Sequence, residues 1–440
     1  MNIIKKEIFI EALIFGLLIL SFFFTTPALC ANQQIIPSFS VSEEYTDNFN
    51  RTKDNKDSEF TTRYSPGIAY SIIDKKYSLN FDYNPTYKDN VDNNEYDAWD
   101  HRALFAAEFQ PSKNTQINIS DNFNRSSNRS ARTNAYGTHD TNSASASLSY
   151  QFGKKDRMSL SYTYAFDDYE EANQDEFKRH NPTAYFSYWL TPQWGIDLNG
   201  SYSKTDNEIS LDDPETIRGD IRLLKNMDKN LDIYIKYAHS YTEKSSGDQM
   251  VLNPSVGFDW KPTEDSGIVL GGGMLFQDYE GQSGSDSEKF FIEFDIYKDF
   301  SFSQRNNLSI TGSSSYNDID ETASSLGFTI SYEAGLMHTY KLTKRLTSQL
   351  SGSYKLSEYD EPTINREDKS FRLGAGLVWA PLKWLTANLR YGFEDFTSDS
   401  SSREDYQENK VTFSISLRPS GPVRLDQSND RQVLEDRLFN

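Results

Sequence analysis

Five histidines, His101, His139, His180, His239 and His338, are the side chains best suited to general-base or zinc chemistry in this sequence. They stand singly, without cysteine partners or metal-ligand spacing, and no Gly-x-Ser-x-Gly nucleophile element accompanies them. Gly271-Gly272-Gly273 follows the apolar run Gly267-Ile268-Val269-Leu270 but lacks the lysine and helix of a phosphate loop. Glycines inside a strand instead mark a bend, or a place where an aromatic ring packs over bare backbone. The acidic stretch from Asp89 through Asp92, Glu95 and Asp97 offers oxygen ligands for Ca²⁺ without the glycine spacing of a dedicated loop. It is expected to be a solvated loop. Arg125, Arg129 and Arg132 form one basic loop that could meet phosphate groups or an anionic polymer, with plain solvation as the default. No residue is assigned a catalytic, cofactor-binding or metal role, and no cofactor is expected.

The elements that must carry these residues begin with a leader. Lys5 and Lys6 precede an apolar run over residues 12–24, which is followed by Pro27-Ala28-Leu29-Cys30-Ala31. A charged start, a short apolar core and small residues predict a secretory signal over residues 1–31. The run is shorter than the roughly 20 residues of a spanning helix. Cys30 is the single cysteine. Leu29 stands where a lipoprotein signal wants a small residue, so ordinary cleavage is expected and leaves no thiol or disulfide in the mature chain.

The net charge is -20, from 45 basic and 65 acidic residues. This argues against nucleic acid as a partner. Mean hydropathy is -0.70, as for a soluble protein. Barrel strands, however, carry only half an apolar face and give weak hydropathy.

Period-2 alternation is long and clean. In Met158-Ser159-Leu160-Ser161-Tyr162-Thr163-Tyr164-Ala165-Phe166, large apolar residues alternate with small or polar ones, and residues 385–393 repeat the pattern. Such runs put one face in an apolar medium and the other in a polar one. Leu160, Tyr162, Leu389 and Val411 are expected to face lipid, and Ser161, Thr163, Asn388 and Thr412 a lumen. Short connections begin at Asp74, Pro111, Gly153, Thr191, Asp228, Pro262, Ser303, Thr343 and Pro381, at intervals of 34 to 42 residues. Longer hydrophilic connections lie between them. Nine short turns and ten loops imply about twenty strands from Ile36 to Arg418, with eighteen as the alternative count. Five of the six tryptophans sit at the short-turn ends, as an interfacial aromatic girdle requires.

The fold class is thus all-β: a single up-and-down antiparallel transmembrane β-barrel over residues 32–418, in a Gram-negative outer membrane, followed by a charged tail at 419–440. A propeller repeats at a similar length but needs four strands per repeat, and here each repeat holds two. The histidines then belong to lumen and loops, and the lumen is read as rich in Ser, Asn, Thr, Asp and Gln. Outer-membrane lipid, lipopolysaccharide and the barrel assembly machinery are the expected partners.

The opening Ile36-Pro37-Ser38-Phe39-Ser40-Val41-Ser42-Glu43-Glu44-Tyr45-Thr46-Asp47-Asn48, with Tyr64-Ser65-Pro66-Gly67 and Ser78-Leu79-Asn80-Phe81-Asp82-Tyr83, resembles the outer-membrane β-barrel porin type 2 group. That group includes barrels associated with exopolysaccharide and exosortase (PEP-CTERM) gene clusters. The resemblance implies an outer-membrane location, a role in export or assembly of surface polysaccharide, and polysaccharide export components as partners. It carries no catalytic residue. Such barrels usually close on an aromatic residue read by the assembly machinery, whereas here Pro419, Pro422 and a charged tail follow the last strand. The expected function is a passive pore for surface polysaccharide. The alternatives are a general or sugar-preferring diffusion porin, or a non-transporting adhesin or scaffold. No plug segment precedes the first strand, which disfavours an energy-coupled transporter. An acidic chain predicts weak cation selectivity.

Overall fold

The computed structural model describes residues 32–127, 137–170, 176–208, 213–245, 247–280, 287–317, 328–360, 365–400 and 404–419. The leader at 1–31, Arg129, Arg132 and the tail beyond Pro419 lie outside the described residues.

Twenty strands follow one another as β1 Asn32–Thr46, β2 Glu59–Ile73, β3 Tyr77–Asn90, β4 Ala98–Ser112, β5 Thr115–Ser126, β6 His139–Gln151 and β7 Arg157–Tyr169. They continue as β8 Phe177–Trp189, β9 Trp194–Asn207, β10 Glu215–Asp228, β11 Leu231–Glu243, β12 Asp248–Thr263, β13 Ser266–Glu280 and β14 Ser287–Ser303. The last six are β15 Asn306–Asn317, β16 Phe328–Lys341, β17 Leu346–Asp360, β18 Asn365–Leu382, β19 Leu385–Ser398 and β20 Tyr406–Leu417. Each strand pairs antiparallel with the next, and β20 returns to β1 from Phe39↔Leu417 to Thr46↔Lys410, closing the barrel. Closure gives every strand a partner on both sides over at least part of its length, which is what lets strands cross hydrocarbon.

The turns expected at nine positions are the nine short connections, and β1 begins at Asn32, four residues ahead of the expected Ile36. Strands of 12 to 18 residues exceed the roughly 9–11 needed to span a bilayer. Their ends therefore project beyond the apolar band, which is why clean alternation is confined to their middles.

The register carries one parity around the whole wall. Leu160, Tyr162, Leu389 and Val411 stand exposed on the outer face, while Ser161 bonds Thr183, Asn388 bonds Ser414 and Thr412 bonds Glu44 inside. Cross-strand hydroxyl pairs recur on the inner face, including Ser120–Ser145, Thr216–Thr242 and Ser331–Ser357. Each satisfies polar groups that face away from lipid.

The glycine run packs under a ring. Tyr234 of β11 lies over Gly257 and Gly271 on the next two strands, where added Cβ atoms would stand 2.5 and 2.7 Å from its hydroxyl. At Gly257 the Leu270 carbonyl oxygen is also 2.5 Å from that Cβ, so the backbone itself would have to shift. Gly257→Ala should destabilise the barrel by about 1–3 kcal/mol through overpacking. Gly392→Ala, with nothing within 4 Å of the new methyl, should not. The temperature at which the folded band is lost on a heat-shift gel measures both.

Candidate functional site

The site is the lumen. Its wall is laid down by the inward parity of every strand, and its two mouths differ. By the rule that turns are periplasmic and loops extracellular, the turn rim carries Lys75, Lys113, Lys154, Lys229, Lys344 and Lys383. The loops carry carboxylates such as Asp54, Asp92, Glu95, Asp399 and Glu404. The net charge of -20 is therefore not spread evenly. Inside, both signs alternate around the wall, and the Ser- and Asn-rich lumen read from sequence is also strongly charged.

At the extracellular end those charges meet across the closing seam. Arg63 bonds Glu44 at 3.1 Å, Lys410 lies 3.8 Å from Glu44 and 3.3 Å from Glu408, and Arg51 reaches Glu408 at 3.1 Å and Glu394 at 3.6 Å. Arg372 completes the chain on Glu394 at 2.8 Å. The β1–β20 register covers 8 residue pairs against 15 for β1–β2. The network thus adds cross-strand ties where the ladder is short. Outside the strands, the Ser398 backbone N–H and the Lys53 ammonium hold the Asp405 carboxyl below the usual carboxylate range, tying the first loop to the last.

The wall is not a simple cylinder. β14 and β15 pair only from Asp295↔Ser313 down to Ser303↔Asn306; above that level each keeps only its other neighbour. Val251, Leu275 and Phe291 occupy inward registers of β12–β14, while Tyr316 and Ile330 occupy outward registers of β15 and β16. Yet they form one buried cluster, each of the four aliphatic and Phe members 2 % exposed, with Phe291 and Tyr316 edge-on at 5.3 Å. Both sets of registers are satisfied if the free edges overlap, the β15–β16 hairpin lying on the lumen side of β12–β14. The overlap narrows the extracellular half of the lumen.

At the periplasmic mouth a recess of about 970 Å³ opens along β4–β12. Arg157 donates to the Tyr185 hydroxyl at 3.2 Å and stands 5.1 Å from its ring centroid. Arg222 stands 4.5 Å over Tyr234, and Lys155 3.6 Å over Trp189. Trp189 itself lies flat on bare backbone, since a Cβ at Gly195 would be 2.9 Å from its ring. No local pattern in the sequence marks this recess, because its residues come from nine strands and the turns between them.

Four histidines are not lumen or loop residues. His101, His180, His239 and His338 sit on outward registers, with His101 bonded to Tyr83 at 2.9 Å, His180 to Tyr162 at 2.6 Å and His338 to Asn306 at 2.7 Å. They join the interfacial belt of amphipathic rings. His139 alone faces inward, stacked on Tyr169. Arg125 is not a loop cation: it is the penultimate residue of β5, ion-paired with Asp140 at 3.2 Å and with Glu170. In the acidic stretch, Asp97 accepts from Asn90 at 2.7 Å, and the Glu59 carboxylate takes the Val91 N–H at 2.8 Å.

Residues 301–419 match the family model described as Putative beta-barrel porin 2, in line with the resemblance read from the first strands. No curated protein matches the chain. Among solved structures, the FrpB iron transporter of Neisseria meningitidis aligns over 87 % of this chain and 81 % of its own at 10 % identity and a TM-score of 0.52. The ferric enterobactin receptor of Pseudomonas aeruginosa aligns over 88 % and 81 % at 7 % identity, TM-score 0.52. The alcaligin receptor FauA of Bordetella pertussis aligns over 88 % and 76 % at 10 % identity, TM-score 0.50. At these identities the likeness is one of fold: a large outer-membrane β-barrel.

Proposed function

We propose that this outer-membrane barrel, porin-like over residues 301–419, is a passive pore serving export or assembly of surface polysaccharide. The observation that carries the pore is a twenty-strand closed wall whose inward face carries hydroxyl and amide pairs. Barrels of 16–18 strands already leave an aqueous channel. Hydroxyl and amide rungs suit a hydrated polyol, and the resemblance of the first strands to barrels of exopolysaccharide clusters supports the cargo.

Purified protein in a planar bilayer should form large pores, weakly cation-selective at low salt because acidic loops surround the extracellular mouth. Screening shortens to roughly 3 Å at 1 M salt, which should erode that preference. Removing residues 91–97 should reduce it at low salt if the loops carry it, and leave it unchanged if the lumen does. A diffusion porin would instead pass small neutral sugars quickly in a liposome-swelling assay. Folded protein without conductance would leave the adhesin or scaffold reading in place of both pores.

A further inference from the structure

We infer that the periplasmic recess is a binding site for an anionic, hydroxyl-rich ligand of the carboxylated-sugar class, captured from the periplasmic side. The inference deepens the pore reading and rests on it for direction. Three observations point the same way. The first is sign. Seven cationic side chains line the recess against three carboxylates, in a chain whose overall charge is -20. Asp259 lies 3.4 Å from Lys261, one of the seven, and Asp232 accepts from Asn226 at 2.8 Å. The cations still outnumber the carboxylates around the cavity.

The second is a buried donor. Arg222 Nε has no hydrogen-bond partner among the described residues, and its guanidinium is braced over Tyr234. A stacked guanidinium keeps its donor fork in one plane, the geometry that matches a carboxylate with two parallel bonds. Arg157, braced by Tyr185, repeats the arrangement on another strand. The third is the rest of the lining. Gln116, Gln151, Asn226 and Asn230 supply amides for hydroxyl groups. A plain anion would use the cations alone; a carboxylated sugar would use both kinds of group. The basic turn rim raises the local anion concentration at this mouth, whereas the acidic loops repel anions at the other.

The test is calorimetry on the full detergent-solubilised protein at low salt, with oligogalacturonate, neutral malto-oligosaccharide of equal length and inorganic phosphate as probes. Oligogalacturonate should bind, the neutral oligomer should not, and phosphate should bind much more weakly. Arg157→Ala and Arg222→Ala should each weaken oligogalacturonate binding about tenfold, the loss of one charge-assisted contact. Retained heat-shift mobility shows that a variant has folded, and Arg222→Lys, which keeps charge without the fork, should fall between. Equal binding of charged and neutral oligomers, or no effect of either arginine, overturns the site. Phosphate binding as tightly as the oligomer overturns the sugar class. In a planar bilayer, oligogalacturonate should interrupt the current from the turn side at lower concentration than from the loop side. Calorimetric binding without any conductance would keep the site and remove the pore reading.

Discussion

Phe291→Ala should enlarge the single-channel conductance while leaving a folded, heat-modifiable barrel. Phe291 is 2 % exposed and joins β14 to the overlapping β15–β16 edge through Tyr316. Truncating a buried phenylalanine costs about 3–5 kcal/mol, from lost transfer energy and the cavity left behind. Here the loss falls on a contact between two edges that no ladder joins, because β14–β15 pairing stops at Asp295↔Ser313. The remaining strand pairs keep the barrel closed, so the effect is expected as release of the overlap and not as global unfolding. Phe290→Ala is the matched control: it is one residue away, 64 % exposed and on the outward face. Equal conductance in Phe291→Ala and Phe290→Ala would argue that the overlap does not narrow the path.

The second large effect is on the wall itself. Leu389 is 46 % exposed on the outer face of β19, between Leu377 of β18 and Phe413 of β20. Leu389→Arg places a charge against lipid and should cost about 2–4 kcal/mol if the position lies near the midplane. Asn388→Arg, one residue earlier, puts the same charge in the lumen and gives up only the 3.3 Å bond to Ser414. A heat-shift gel after titration with denaturant compares them. Equal tolerance at the two positions would be incompatible with a barrel in a membrane.

Much of this architecture is local and so was legible in the sequence. Alternation around Leu160 and Leu389 assigns each residue a face, because successive side chains on a strand point opposite ways. The nine short turns number the strands, and the Gly271 run announces a ring over backbone, which Tyr234 supplies from another strand. Faces, order and count need only neighbours in the chain.

What needed tertiary structure is everything that depends on where distant strands stop pairing and which charges then meet. Arg125 reads as a loop cation until β6 and the loop after β7 bring Asp140 and Glu170 to it. Four histidines read as lumen or loop residues until the register turns them outward, three of them bonded to a tyrosine or an asparagine. The overlap at β14–β15 arises from pairs that fail to form, and no pattern in either strand records the absence of a partner. The net charge of -20 states a total but not a place. The pairing and curvature of β4–β12 gather lysines from separate turns and arginines from β7 and β10 around one recess, because Coulomb interactions follow distance in space and not separation along the chain.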